Sequence, residues 1–236
     1  MTLVRAPGRT VSHSSALLLA RSVSTARMRT LDARAITDLG IPRLLLMDHA
    51  GLALAAHAAR YARGPILICA GAGYNGGDGL SAARHLEAVG LRPRILLAAR
   101  RRALRDEPAV FAAIAERLRL PIAELAAAPG RARRWLAEAA LIIDALLGIG
   151  LQGVVRDPLA GLIQAINATR APVLSADVPS GLDADTGEPL GTAVRARWTI
   201  TFGRMKRGLR CAGASRYAGR VLVAPISFPR LVLEAG

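Results

Sequence analysis

Short runs of apolar residues alternate along this chain with longer segments whose apolar positions recur every three or four residues. The runs lie at 65–70 (PILICA), 93–99 (PRILLAA), 140–146 (ALIIDAL), 172–177 (PVLSAD), 198–203 (WTITFG) and 220–225 (RVLVAP). They are short, rich in Ile, Leu and Val, and bounded by Gly or Pro, which reads as strands buried on both faces. Between them, helical spacing predicts helices over residues 31–39, 43–62, 80–89, 107–118, 131–139 and 158–168, with stops at Gly40-Pro42 and Gly64-Pro65. Buried strands alternating with helices of this length predict an α/β fold, a doubly wound, Rossmann-like, mostly parallel sheet. No repeat or low-complexity linker divides the chain, so one domain is expected over residues 29–236.

Residues 1–28 fit this pattern poorly. They carry Arg and Ser but no acid, the first carboxylate being Asp32. That composition reads as a basic leader, either an organellar transit peptide or a start placed too early with Met28 as the true one, and it is expected outside the fold. A cytoplasmic location follows, or a mitochondrial one should the leader be a genuine transit peptide.

Composition narrows the function classes. The chain has 236 residues, 52% of them hydrophobic and 21% charged, which suits a globular core and not a disordered chain. The longest apolar stretch, 44–59, is broken by Asp48, His49 and His57, so no membrane span is expected. Two cysteines, Cys69 and Cys211, cannot make a disulfide framework, and Cys69 in its apolar run reads as a buried reduced thiol. The net charge of +15 raises nucleic acid as a partner, but aromatics are only 3% and the basic residues are scattered, so none is expected. All the basic residues are arginine except Lys206. Chance explains a lone survivor, and so does a site where only a compact ammonium fits.

In an open parallel sheet, ligands bind beyond the carboxyl ends of the strands, close to helix N-termini. Four such ends carry polar or glycine-rich residues: 71–79, 144–153, 177–187 and 201–208. The loop GAGYNGGDG has glycines at 71, 73, 76, 77 and 79, suited to close approach of a phosphate and to positive φ, with a helix expected to begin near Gly79. Such loops are also found as plain turns. This one is neither a P-loop, since no Gly-Lys-Ser/Thr follows, nor a good dehydrogenase fingerprint, since no acid ends the next strand. Asp78 within it suggests a sugar hydroxyl or a capping role. Asp144 and Asp177 end consecutive strands, where partial desolvation fits acid–base chemistry and where helix caps and turn carboxylates also occur. Asp183 and Asp185 read as turn residues. Gly-x-Ser-x-Gly is absent around Ser180 and no histidine follows it, while the four histidines lack metal-ligand spacing, so serine-hydrolase and zinc chemistry fail.

Taken together, LLLMDHAG, CAGAGYNGGDGLSAARHL, IIDALLGIGLQG, SADVPSGLDADTG and TFGRMKRGL resemble the NAD(P)H-hydrate epimerase family, the YjeF N-terminal domain, in the family's order over about residues 29–225. The resemblance implies a three-layer αβα sandwich, usually a homodimer, that interconverts the R and S hydrates of NADH and NADPH (NADHX and NADPHX) at C6 of the nicotinamide ring. It further implies an S-specific dehydratase downstream, expected as a separate protein. By motif, the hydrate-binding residues fall on Tyr74, Asn75, Gly76, Gly77 and Asp78, and on Gly148, Ile149, Gly150, Leu151, Gln152, Gly153 and Val154. The potassium ion expected as cofactor falls to Asn75, Asp144 and Ser180. Asp177 matches the substrate-contacting, catalytic aspartate, and Lys206 matches the lysine of TFG-x-x-K-x-G-L. The chain departs from the family pattern at Tyr74, where Asn is usual, and at Asp48-His49, where Glu-Asn is usual. The rival readings are a catalytically silent scaffold of the same fold binding RNA or protein, and an ordinary nicotinamide oxidoreductase.

Overall fold

A computed structural model describes residue 19 and residues 21–234. Its centre is a seven-stranded, all-parallel sheet in the order β4-β3-β2-β5-β6-β7-β9. The strands are β2 (Ile66–Ala70), β3 (Arg94–Leu97), β4 (Ile122–Glu124), β5 (Leu141–Ala145), β6 (Val173–Ala176), β7 (Trp198–Phe202) and β9 (Arg220–Ala224). From β2 the chain runs outward through β3 to β4, then returns to add β5 along the free edge of β2. The strand order therefore reverses between β2 and β5, and a crevice opens there beyond their carboxyl ends.

Alternation along each strand builds two cores. Ile66, Ile68 and Ala70 of β2 join one apolar cluster, with Leu54, Leu80 and Phe111. Leu67 and Cys69 join the other, with Trp135 and Ile163. The first face is covered by α1 (Thr25–Ala33), α2 (Arg43–Tyr61), α3 (Tyr74–Ala88) and α4 (Asp106–Arg117). The second is covered by α5 (Pro129–Glu138) and α6 (Leu159–Asn167). This is the three-layer αβα sandwich the sequence leads one to expect. Cys69 is fully buried, and burial pushes its thiol up beyond any physiological titration. Among the described residues, no helix is long and apolar enough to cross a membrane.

The folded unit begins earlier than residue 29, which corrects the expected leader boundary. Strand β1 (Ser22–Val23) lies parallel to β8 (Met205–Lys206), pairing Val23 with Lys206. The Ser24 hydroxyl caps α1 by accepting from the Arg27 amide, and Thr25 donates through both its amide (2.9 Å) and its hydroxyl (2.6 Å) to the Asp185 carboxylate. Met28, Leu31 and Ala35 are buried at helical spacing. The remainder of the expected leader lies outside the described residues, apart from the buried Leu19.

Helix α3 also starts earlier than expected, at Tyr74 instead of near Gly79, so the glycines of the loop lie largely within it. None of Gly71, Gly73, Gly76, Gly77 or Gly79 has positive φ, contrary to the expectation. Their role is close approach. A Cβ on Gly76 would lie 2.0 Å from the Gly71 carbonyl oxygen, one on Gly77 2.4 Å from Met47 Sδ, and one on Gly79 2.6 Å from Ala145 Cβ. Glycine here lets α3 lie against β2, β5 and α2 at once.

Candidate functional site

A cavity of about 840 Å³ occupies the crevice. Four segments that are far apart in sequence converge on it: Gly71–Asp78 from the end of β2, residues 146–152 after β5, Asp177 after β6, and Phe202 and Lys206 around β8. A fifth wall, from α1, was not read from the sequence. It brings Arg29, Asp32 and Ala33, spaced i, i+3 and i+4 along one helical face, with Ile36 added from the wider turn that follows the helix. That spacing was visible in the sequence, as was the isolation of Asp32 as the first acid, but the composition of the preceding residues masked both.

Asp177 sits where β6 ends, at φ 62°, in the left-handed region. Holding a non-glycine residue there costs about 1 kcal/mol or more and recurs at functional sites. Its Oδ1 accepts three hydrogen bonds, from Lys206 Nζ at 2.5 Å, the Phe202 amide at 3.0 Å and Thr201 Oγ1 at 3.1 Å. Among the described residues no donor occupies Oδ2, so one carboxylate oxygen is anchored and the other is left for a ligand. Lys206 is 1% exposed and also donates to the Phe202 carbonyl at 2.7 Å. An arginine fork would not fit this enclosed point-charge position.

Beneath the cavity lies Asp144, fully buried. Its Oδ1 accepts from Ser180 Oγ at 2.5 Å, and its Oδ2 from Ser175 Oγ at 2.8 Å and from the Ser180 amide at 2.9 Å. Burial pushes its carboxyl above the ordinary range, partly offset by these hydrogen bonds. Ser180 Oγ accepts from the Leu147 amide at 2.9 Å, and Asn75 Nδ2 donates to the Leu147 carbonyl at 2.8 Å. The three residues matched to potassium thus meet around Leu147. Asn75 Oδ1 is buried there with no hydrogen-bond partner.

Of the other matched residues, Tyr74, Asp78 and Gly148, Ile149, Gly150, Leu151 and Gln152 line the cavity. Gly76 and Gly77 are packed behind it, and Gly153 and the exposed Val154 lie beyond it. Tyr74 is exposed at the mouth with the Arg43 guanidinium 4.3 Å above its ring. Asp48 is away from the cavity. It joins α2 to α3 by accepting from Arg84 (2.6 and 2.7 Å) and Ser81 (3.0 Å). Asp183 accepts from the amides of Asp185 and Thr186, the turn role expected of it.

The fold and the cavity define a parallel α/β domain with an open cavity at its topological switch point and an anchored carboxylate on the cavity wall. The chain belongs to the family described as YjeF-related protein N-terminus, whose model matches residues 43–208. It is 40% identical over 206 residues to an NAD(P)H-hydrate epimerase of Limosilactobacillus fermentum, covering 86% of this chain and 96% of that one. It is 41% identical over 216 residues to a bifunctional NAD(P)H-hydrate repair enzyme Nnr of Pyrobaculum aerophilum, over 88% of this chain but only 42% of that longer protein. The crystal structure of the yeast protein YNL200c matches with a TM-score of 0.73 at 23% identity, over 80% of this chain and 82% of that one, which shows the fold.

Proposed function

We propose that this chain carries out the epimerisation step of NAD(P)H-hydrate repair, interconverting the R and S hydrates at nicotinamide C6 with Asp177 at the reacting centre. The observation that carries this reading is the Asp177–Lys206 pair: an anchored carboxylate with one free oxygen on a dinucleotide-sized cavity. It stands in a chain 40% identical to a protein named for that activity.

The hydrate carries its hydroxyl on a carbon next to the ring nitrogen. The nitrogen lone pair can expel that hydroxyl, as water once protonated, to leave a planar iminium, and water can return on either face. Asp177 Oδ2 accepts or returns the proton of the water or hydroxyl. Lys206, Thr201 and the Phe202 amide hold Oδ1, so the carboxylate cannot rotate away from the ring. Gly73 and the first turn of α3 present amides to anionic groups of the substrate. At the rim, Tyr74 offers an aromatic face.

Asn75, Asp144 and Ser180 offer amide, carboxylate and hydroxyl oxygens, and the unpartnered Asn75 Oδ1 fits a hard cation such as potassium. Bound there, it would supply positive charge next to the buried Asp144 carboxylate. Replacing potassium by choline should then slow the wild-type protein and lower its melting temperature, and Asn75→Ala should remove both effects. A homodimer and an S-specific dehydratase acting next belong to the same reading. So does a cytoplasmic location.

The test is the rate of R-to-S conversion of NADHX by the purified chain in potassium, coupled to excess S-specific dehydratase. Acceleration over the spontaneous rate is expected. A folded protein that gives none overturns the reading in favour of a binding scaffold.

A further inference from the structure

Expelling the C6 hydroxyl from one face of the ring and adding water to the other calls for an acid–base group on each face, and Asp177 offers a single free oxygen. Three donors, one of them an ammonium, hold its other oxygen, Oδ1. Two more carboxyls line the same cavity, Asp32 on α1 and Asp78 on α3. Burial and the neighbouring carboxylates raise both above the ordinary range, which favours a proton on them.

Asp32 is the better placed to exchange that proton. It is half-buried, and no hydrogen bond or ion pair engages its carboxyl among the described residues. Its helix is fixed at three points: Thr25 on Asp185, Val23 beside Lys206, and Arg29 Nη2 on the Ile149 carbonyl at 3.2 Å. The carboxyl is therefore positioned by its backbone while its oxygens stay free for substrate. Burial raises it to about 6, with Lys206 and Arg43 opposing and Asp177 adding to the rise. Asp78 is held well above the carboxylate range by burial and by Asp177 and Asp32, against Lys206.

We infer that Asp32 is a second catalytic carboxyl, giving its proton to the departing C6 hydroxyl while Asp177 takes the proton of the incoming water; this rests on the epimerase reading above. In the first half-reaction the Asp32 proton joins the hydroxyl oxygen. The C6–O bond breaks with its electron pair on the departing water, and the ring-nitrogen lone pair forms the N1=C6 bond. In the second, water adds to the other face, the π pair returns to nitrogen, and the excess proton passes to Asp177. One water leaves, one enters, and cavity water carries the proton from Asp177 back to Asp32.

The experiment measures kcat/KM for R-NADHX between pH 5.5 and 8.5 with excess dehydratase, for the full chain, Asp32→Asn and Asp32→Glu, subtracting the spontaneous rate. Thermal melts verify folding. The expected result is a wild-type profile falling tenfold per pH unit above about pH 6, an Asn variant about a hundredfold slower and without that limb, and a Glu variant partly restored with the limb moved. A folded Asn variant with the wild-type rate and profile overturns the inference. So does a slow Asn variant that keeps the wild-type limb, since that marks a structural role. Should the Asn variant not fold, an unmoved limb in Asp32→Glu overturns it. No acceleration by the wild type would instead overturn the epimerase reading itself, and this inference with it.

Discussion

Lys206 Nζ lies 2.5 Å from Asp177 Oδ1, and the lysine is the more buried partner, its side chain 1% exposed against 11% for the aspartate. In a chain otherwise supplied only with arginine, the one ammonium is placed where it meets a carboxylate and the Phe202 carbonyl with no room for a fork. Lys206→Met should therefore leave a carboxylate without its cation at the cavity wall. The expected cost is roughly 3 kcal/mol of stability, as for breaking other buried pairs. Activity should fall further than that loss explains, because Asp177 also loses its orientation. Lys206→Arg should be nearly as damaging. Chemical denaturation and the coupled epimerase assay check both, and an active Arg variant of normal stability would contradict the packing argument.

The backbone at Asp177 separates its chemical from its conformational role. At φ 62° asparagine is tolerated and alanine is strained. Asp177→Asn keeps a side chain suited to that backbone but leaves the buried Lys206 ammonium without its carboxylate, so it should lower the melting temperature as well as lowering the rate by 10²- to 10⁴-fold, the usual contribution of a positioned acid–base group. Asp177→Ala should lose the same activity and a further ~1 kcal/mol of stability. Equal stabilities for the two variants would show that the left-handed backbone is not under strain.

The strands and the four ligand-bearing loops were legible because buried parallel strands read as continuous apolar runs, and because their carboxyl ends carried Asp144, Asp177 and Lys206 in plain view. The roles of the glycines in the first loop were not, since a glycine that admits a ligand and one that admits a helix look the same. Strand β4 escaped notice because Ile122–Glu124 is three residues long with one buried side chain. The wall formed by α1 was hidden by composition: an acid-free, arginine-rich segment resembles a leader whether or not it folds. What decides the matter is tertiary, the pairing of Val23 with Lys206 and of Thr25 with Asp185.

That pairing can be tested directly. Thr25→Ala removes a 2.6 Å hydrogen bond to the Asp185 carboxylate, and loss of a hydrogen bond to a charged group costs about 1.5–3 kcal/mol when buried and less at this half-buried site. A destabilisation of about 1 kcal/mol is expected, seen as a lower melting temperature. A chain starting at Met28 should lose far more, since β1, the Ser24 cap and the Thr25 contacts go together. If the shortened chain melted and turned over like the full one, residues 22–27 would have no structural part to play.

A last consequence concerns acid stability, and it arises at the other end of α2. His57 packs against Tyr61 (ring centroids 4.6 Å apart) and Trp198 (5.3 Å), with its Nε2 buried and unpartnered. Burial, with help from the nearby Arg60 and Arg220 charges, lowers its pKa from 6.5 to about 4. The folded state therefore resists a proton that the unfolded state accepts. Between about pH 6.5 and 4 the unfolded chain binds more protons, so stability falls as pH falls through that window and is constant, as far as this group is concerned, above it. Because the ring is only half-buried, the loss should be well short of the full linkage value. His57→Phe keeps an aromatic ring of similar size and removes both the titration and the unpartnered nitrogen. It should leave stability at pH 7.5 equal or higher and flatten the decline between pH 6.5 and 4 in a series of thermal melts. An unchanged acid slope in that variant would move the cause to the carboxylates, which lose their own stabilising charge over the lower part of the same range.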